Sequence, residues 1–172
     1  ILEMKLLPPP PMFLVGTSFL LAVFIAFSST GSRLARLPLA ALIGFHAFRL
    51  PLELILHNWY QGGTLPVQMT YEGHNFDIAT GILAIVVGTW AMFGQIPRTA
   101  AWLFNVIGTS LLAVVITIAL TSSPFPFRQY MNEPQVLLVY HCPFSWIVSI
   151  AVSGALLGHL VLFRRLLTRA EY

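Results

Sequence analysis

Charged residues are scarce in this chain of 172 residues. Only 9% of the residues are Asp, Glu, Lys or Arg, whereas 57% are hydrophobic, and the mean hydropathy is +0.81. A soluble domain typically carries about 25% charged residues. The composition therefore excludes an ordinary soluble globular protein and favours one whose outer surface contacts lipid.

Several kinds of chemistry are missing as well. Cys142 is the one cysteine, which excludes an internal disulfide and a multi-cysteine metal site. The sequence contains no H-E-x-x-H motif, no Gly-rich phosphate loop and no G-x-S-x-G elbow, so no catalytic residue is identified by a motif. The net charge of +3 comes from basic residues beside apolar runs, so we expect no nucleic-acid partner.

Long apolar runs are what the chain has instead. A run of about 20 apolar residues can cross a hydrocarbon core of about 30 Å, and the runs lack the alternation expected of barrel strands. The sequence predicts an all-α, polytopic membrane helix bundle of about five transmembrane helices. Residues 1–172 form one bundle, entered through the proline-rich segment 1–11. The predicted spans are 12–29, 37–58, 74–95, 99–121 and 135–163.

The basic residues are distributed unequally between the two ends of these spans. One end carries six arginines: Arg33, Arg36, Arg98, Arg164, Arg165 and Arg169. The other end carries Lys5 and Arg128. Cytoplasmic loops of membrane proteins are enriched in Lys and Arg, so we expect the carboxyl terminus in the cytoplasm and the amino terminus outside.

Polar residues interrupt the second predicted span, in the stretch "HAFRLPLELILHNWY" at residues 46 to 60. At about 100° per residue, His46, Arg49, Glu53 and His57 fall within roughly 80° of arc. A charge at mid-span costs about 2.5–3.5 kcal/mol on insertion scales, so Glu53, one turn away, is the expected partner of Arg49. The stripe is either a buried pair that fixes the helix or part of a polar pocket or ion path.

Further acids and histidines are predicted at the outer half of the bundle. The third span begins with Asn75 as N-cap, and the fifth is expected to start at Asn132 and Pro134. A helix start and an interfacial histidine explain some of these residues without a ligand. Together they make a candidate ligand or ion pocket of Arg49, Glu53, His57, His46, Glu72, His74, Asp77 and His141. Imidazole and carboxylate ligands could bind a divalent metal, for which the candidates are His57, His74, Asp77 and His141.

Small residues indicate where helices pack closely. Gly154 and Gly158 form a GxxxG pair in the fifth span, and Gly81 and Gly88 share a face of the third. Such faces allow backbones to approach in lipid. Pro143 is expected to kink the fifth helix. We expect His159 near the cytoplasmic interface and Asn105 bonded to a neighbouring helix.

One segment has a recognisable likeness. "PVQMTYEGHNFDIATGI", residues 66 to 82, resembles a segment of an uncharacterised family of bacterial multi-pass inner-membrane proteins. The likeness extends through "NVIGTSLL" and "GHLVLFRRL". The resemblance implies a bacterial inner (plasma) membrane location and supplies no activity.

Three classes of function are compatible with these residues. The first is a membrane protein whose outward-facing polar pocket binds a small ligand, an ion or a lipid head group, as an accessory subunit of a larger complex or as a homo-oligomer. The second is an integral-membrane enzyme acting on a lipid or quinone, with Glu53 or Asp77 as base and Arg49 as anion clamp. The third is a proton or solute transporter, with His46, Arg49 and Glu53 as its path.

Overall fold

The computed structural model describes residues 10–141 and 143–168, and the regular elements in these ranges are helices, as predicted. Three helical stretches are long and apolar enough to cross a membrane: Leu39–Gln61, Arg98–Ser122 and Ile147–Leu167. Phe13–Phe27 and Ile78–Phe93 are shorter apolar helices. The number of five spanning helices stays a prediction. Of the proline-rich segment 1–11, residues 1–9 lie outside the described part of the chain.

Seven α-helices follow one another along the described chain. Helix α1 packs along α7, α3 lies against α5, and α6 also packs on α7. Short single turns occur at Val67–Met69 and Leu138–Tyr140. The helices are α1 Pro10–Phe27, α2 Ser29–Leu34, α3 Leu39–Gly44, α4 Arg49–Gln61, α5 Ile78–Phe93, α6 Arg98–Ser122 and α7 Ser153–Leu167.

The second predicted span is helical from Leu39 onward but not uniform. Helices α3 and α4 are joined by a 3₁₀ turn at Phe45–Phe48. Pro51 has no N–H to donate to the carbonyl of Ala47, which favours a local change of winding at this point. The change sits directly before Arg49, the first residue of α4.

The third predicted helix starts later than expected. The N-cap of α5 is Asp77 and not Asn75. The Asn75 side chain instead accepts a hydrogen bond from the backbone N of Asp77 at 3.1 Å. At 16 residues, α5 is about 24 Å long.

The prediction for the fifth span is wrong at its beginning. Among the described residues of 135–146, Leu138–Tyr140 form a single turn, and helical residues resume only at Ser145 and Trp146, directly before the π-helical stretch Ile147–Val152 that leads into α7. The expected start at Asn132 and Pro134 is therefore not observed. Pro143 precedes the helix and does not kink it.

Two apolar clusters fill the interior. One contains Ile43, Ala84, Phe104, Leu162 and Leu166. The other contains Leu56, Leu65, Met69, Ile118 and Val136. Along α4 and α6, the polar residues that form the candidate site lie between the members of these clusters.

Arginines close one end of the bundle by bonding to backbone carbonyls. Arg164 Nη1 donates to the carbonyls of Ala26 and Ser28 at 2.8 Å each, where α1 ends. Arg165 Nη1 donates to Ala35 at 3.1 Å, and Arg98 donates to Leu166. This cluster, part of the arginine-rich end predicted from the sequence, satisfies carbonyls that helix termini leave unpaired.

Candidate functional site

A buried ion pair joins α4 to the start of α5. Arg49 Nε donates to Asp77 Oδ2 at 2.6 Å, and Arg49 Nη2 lies 2.5 Å from Asp77 Oδ1. Both residues are buried, with 1% of Arg49 exposed. Thr80 Oγ1 also donates to Asp77 Oδ1, at 3.1 Å. A pair held by this many contacts offsets part of the cost of removing two charges from water.

The expected partner of Arg49 was Glu53, and the structure assigns Asp77 instead. The reason is the close approach of α5 to α4: a side chain at Gly81 would collide with the backbone N of Leu50. This contact brings Asp77, one turn before Gly81, beside the guanidinium. A carboxylate from a neighbouring element can face the guanidinium of Arg49 with both of its oxygens. This gives the two-point contact that planar guanidinium groups favour.

A histidine and an asparagine continue the network. Arg49 Nη1 lies 3.1 Å from His159 Nε2 and donates to the carbonyl of Gly108 at 3.3 Å. His159 Nδ1 lies 2.8 Å from Asn105 Oδ1, and Asn105 Nδ2 donates to the carbonyl of His159 at 3.2 Å. Arginine can only donate, so His159 Nε2 accepts and Nδ1 carries the proton. His159 is therefore a neutral imidazole of defined tautomer.

These contacts correct one expectation and confirm another. His159 is fully buried, whereas the sequence placed it near the cytoplasmic interface. Asn105 bonds to a neighbouring helix, as predicted. Neither residue belonged to the predicted pocket.

His46 lies against His159 without a hydrogen-bond partner of its own. The two rings stack with centroids 4.0 Å apart, and both ring nitrogens of His46 are buried and unbonded. Two glycines make room for the pair. A Cβ at Gly158 would lie 2.8 Å from His46 Nε2, and one at Gly108 would lie 3.0 Å from His159 Nε2.

Glu53 forms the second buried acidic group. It is 1% exposed, and its two oxygens accept from the same nitrogen, Asn75 Nδ2, at 3.0 and 2.8 Å. Asn75 Nδ2 also donates to the carbonyl of Met69, at 3.0 Å. Among the described residues, no cation forms an ion pair with Glu53.

We call this connected set of buried side chains the polar centre; it consists of Arg49, Asp77, Thr80, His159, Asn105, Glu53 and Asn75. It links α4 through α7 at one level of the bundle. The sequence supplied Arg49, Glu53 and Asp77 as site residues. It predicted a neighbouring-helix contact for Asn105 on α6 but did not place Asn105 or His159 in this site.

A cavity of about 130 Å³ borders the polar centre. Its wall is apolar, with Arg49, Glu53 and Asp77 as the charged lining residues. The apolar lining comes from α1, α4, α6 and the start of the last helix, with Phe19, Phe48, Trp59, Leu112, Ala119 and Ala151 among its members. The volume is close to the roughly 150 Å³ of an engineered protein cavity that holds a benzene ring.

The remaining predicted pocket residues do not join the polar centre. His57 Nε2 lies 2.9 Å from Gln61 Nε2 and 3.5 Å from Glu72 Oε1, and the His57 ring stacks on Tyr71. His74 lies beside the ring of Tyr130, with centroids 5.9 Å apart. His141 is exposed.

The structure does not assemble the metal site considered from the sequence. Within residues 10–141 and 143–168, no three His, Cys, Asp or Glu side chains are grouped so that they could hold a metal ion. The sequence predicts His57, His74 and His141 at a similar depth. In the structure His57 lies beside Glu72 and His74 beside Tyr130, and the Asp77 carboxylate is bound by Arg49. Equal depth in a bundle does not bring side chains to the same side of it.

A polar contact outside the polar centre fixes the long connection between α4 and α5. Gln68 is buried; its Nε2 donates to Ser122 Oγ at 3.1 Å, and its Oε1 accepts from Asn132 at 2.5 Å. These bonds attach the connection to the end of α6. Sequence reasoning missed Gln68, because an isolated glutamine in a loop gives no periodic signal.

A family model described as "Domain of unknown function (DUF8737)" matches residues 10–167. This agrees with the resemblance of residues 66 to 82 to an uncharacterised family. No curated protein and no solved structure matched the chain.

Proposed function

The chain belongs to the family described as "Domain of unknown function (DUF8737)", and we propose that it is an integral membrane protein that binds a small, largely apolar ligand. The binding site is the cavity between α1, α4, α6 and the last helix. The observation that carries the proposal is the apolar wall of that cavity, interrupted at one side by charged residues of the polar centre. Ligand pockets commonly combine an apolar lining with a few placed polar groups.

The outer surface supports a membrane location. Large apolar side chains point outward along the helices, including Leu20, Phe24 and Phe93, the last of which is 85% exposed. Extensive exposed apolar surface in a folded chain marks contact with lipid or with other proteins. Together with the three long apolar helices, it favours insertion, for which a bacterial inner membrane and a cytoplasmic carboxyl terminus stay our expectation.

The enzyme and transporter alternatives have less support. An enzyme acting on an anionic head group would use Arg49 as a clamp, yet its Nε, Nη1 and Nη2 already contact Asp77, Gly108 and His159. A transport path would need polar groups continuing toward both surfaces. The polar centre instead lies between two apolar clusters. Assembly with other membrane subunits or a second copy remains a prediction.

Blocking the cavity tests the proposal. Ala119 lies on α6 and lines the cavity, so Ala119→Phe should fill the space where an apolar ring would bind. Benzyl alcohol is a suitable probe, because its ring matches the cavity volume and it carries one hydroxyl group. Its binding to protein in lipid nanodiscs, measured by ligand-observed NMR against empty nanodiscs, should fall at least about tenfold in the variant.

The matched control is Ala113→Phe on the same helix. Ala113 is exposed and does not line the cavity, so this variant should bind benzyl alcohol as the unmodified protein does. Equal binding by the two variants would contradict the proposal. So would the absence of any binding above that of empty nanodiscs.

A further inference from the structure

The charges around the cavity do not balance. Arg49 and Asp77 neutralise each other through a two-point contact. Glu53, which also lines the cavity, has Asn75 as its hydrogen-bond donor. Within the described part of the chain, an ionised Glu53 therefore leaves one unmatched negative charge beside an apolar space. Such a charge is costly unless something supplies a counter-ion.

The hydrogen bonds of Glu53 are also incomplete. A carboxylate has about four lone-pair sites, but its two oxygens share one amide nitrogen, which also donates to the Met69 carbonyl. The carboxyl group therefore keeps acceptor capacity. Because Glu53 lines the cavity, a ligand there could donate to it.

We propose that Glu53 anchors the ligand and selects molecules that carry an ammonium group on a ring-sized apolar body. This inference rests on the proposed function and names the ligand class of the same cavity. An ammonium supplies both the missing positive charge and the missing donors. Its charge-assisted bond to Glu53 is stronger than a bond between neutral groups.

Two further features of the wall agree with this ligand class. Phe48 and Trp59 line the same cavity, and aromatic rings attract cations placed near their faces. Arg49 also lines the cavity and would repel a cation, but Asp77 compensates its charge at 2.5 and 2.6 Å. The same compensation leaves Arg49 with little capacity to hold an anionic ligand.

A series of three probes tests the selection. Benzylamine, benzyl alcohol and benzoate share one ring and differ in a polar group that is cationic, neutral or anionic at neutral pH. We expect benzylamine to bind roughly 10–100-fold more tightly than benzyl alcohol, because a hydrogen bond to a charged group contributes about 1.5–3 kcal/mol. Benzoate should bind more weakly than benzyl alcohol.

Glu53→Gln removes the charge and keeps the shape. In this variant benzylamine should lose its advantage, while benzyl alcohol still binds, which also shows that the variant is folded. The control Glu72→Gln changes an acid that lies beside His57 and outside the cavity, and it should keep the preference for the amine.

The outcomes separate this inference from the function on which it rests. If benzyl alcohol binds but benzylamine is not preferred by the unmodified protein, the inference is wrong and the cavity remains a binding site. If Glu53→Gln keeps the full preference, the anchor is not Glu53. If none of the three probes binds, the proposed function itself fails.

Discussion

At the scale of single residues, Arg49 shows what a sequence can and cannot predict. Its place in an apolar run predicts a buried charge that needs a partner. The nearest acid along the helix, Glu53, is the obvious choice, yet the partner is Asp77 on another element. The choice depends on the close packing of Gly81 against Leu50, and a single sequence does not specify the distance between two helices.

The ion pair makes a direct prediction about stability. Asp77→Asn keeps the shape of the side chain and removes its charge, so the buried guanidinium of Arg49 would lose the carboxylate that contacts it. Removing one partner of a buried pair typically costs about 3–5 kcal/mol. Glu53 lies in the same polar centre but is bonded to Asn75, so it does not replace the two-point contact of Asp77. We expect the free energy of unfolding, measured by denaturant titration in detergent micelles, to fall by about 3 kcal/mol, the lower end of this range.

The control for this measurement is an ion pair whose acidic member is exposed. Arg128 and Glu133 lie 3.2 Å apart, and the Glu133 side chain is 68% exposed. Glu133→Gln should change the free energy of unfolding by less than about 1 kcal/mol, because surface pairs contribute little. A similar loss in both variants would mean that the Arg49–Asp77 pair is not what stabilises the core.

At the scale of elements, the boundaries of the last helix decide where its residues lie. A helix over 135–163 puts His159 four residues from its end, near an interface. The observed stretch Ile147–Leu167 puts it eight residues from the end, or about 12 Å, level with Arg49. The wrong boundary therefore led to the wrong depth for His159. Hydropathy predicted that a helix exists but not where it begins and ends.

The two glycines of the GxxxG pair differ in what they contact, which gives a prediction for α7. A Cβ at Gly158 would meet His46 at 2.8 Å and Phe45 at 3.2 Å, whereas one at Gly154 would meet Phe45 at 3.8 Å. The first distance requires a buried ring to move, and the second is ordinary contact. Gly158→Ala should lower the free energy of unfolding by about 1–3 kcal/mol, the usual cost of overpacking.

Gly154→Ala is the matched control on the same helix, measured by the same denaturant titration. It should be neutral or slightly stabilising, because alanine has a higher helix propensity than glycine. If the two substitutions have equal effects, Gly158 is not needed to make room for the His46 ring, and the two glycines act as a symmetric packing motif.

At the scale of the whole molecule, the two ends differ in charge in the way the sequence predicted. Arg98, Arg164 and Arg165 gather at one end, where they bond to backbone carbonyls. The other end carries Arg128 with Glu133, and His57 with Glu72. This pattern was predictable because it follows from the order of spans and loops. The polar centre was only partly predictable, since it requires the rotation of each helix about its own axis.

This asymmetry predicts which end faces the cytoplasm. In a Cys142→Ser background, which removes the one native cysteine, Glu133→Cys and Thr168→Cys place single thiols at opposite ends of the described chain. Both parent residues are exposed. The arginine-rich end should lie in the cytoplasm, so a membrane-impermeant maleimide added to intact cells should label residue 133 and spare residue 168. Permeabilised cells should label both.

A third variant, Ala113→Cys, tests whether α6 is inserted in the membrane. Ala113 lies on the exposed apolar face of α6, so this variant should label poorly in both conditions, because lipid shields it. The reverse pattern at residues 133 and 168 would invert the orientation, and strong labelling of residue 113 would refute membrane insertion of α6.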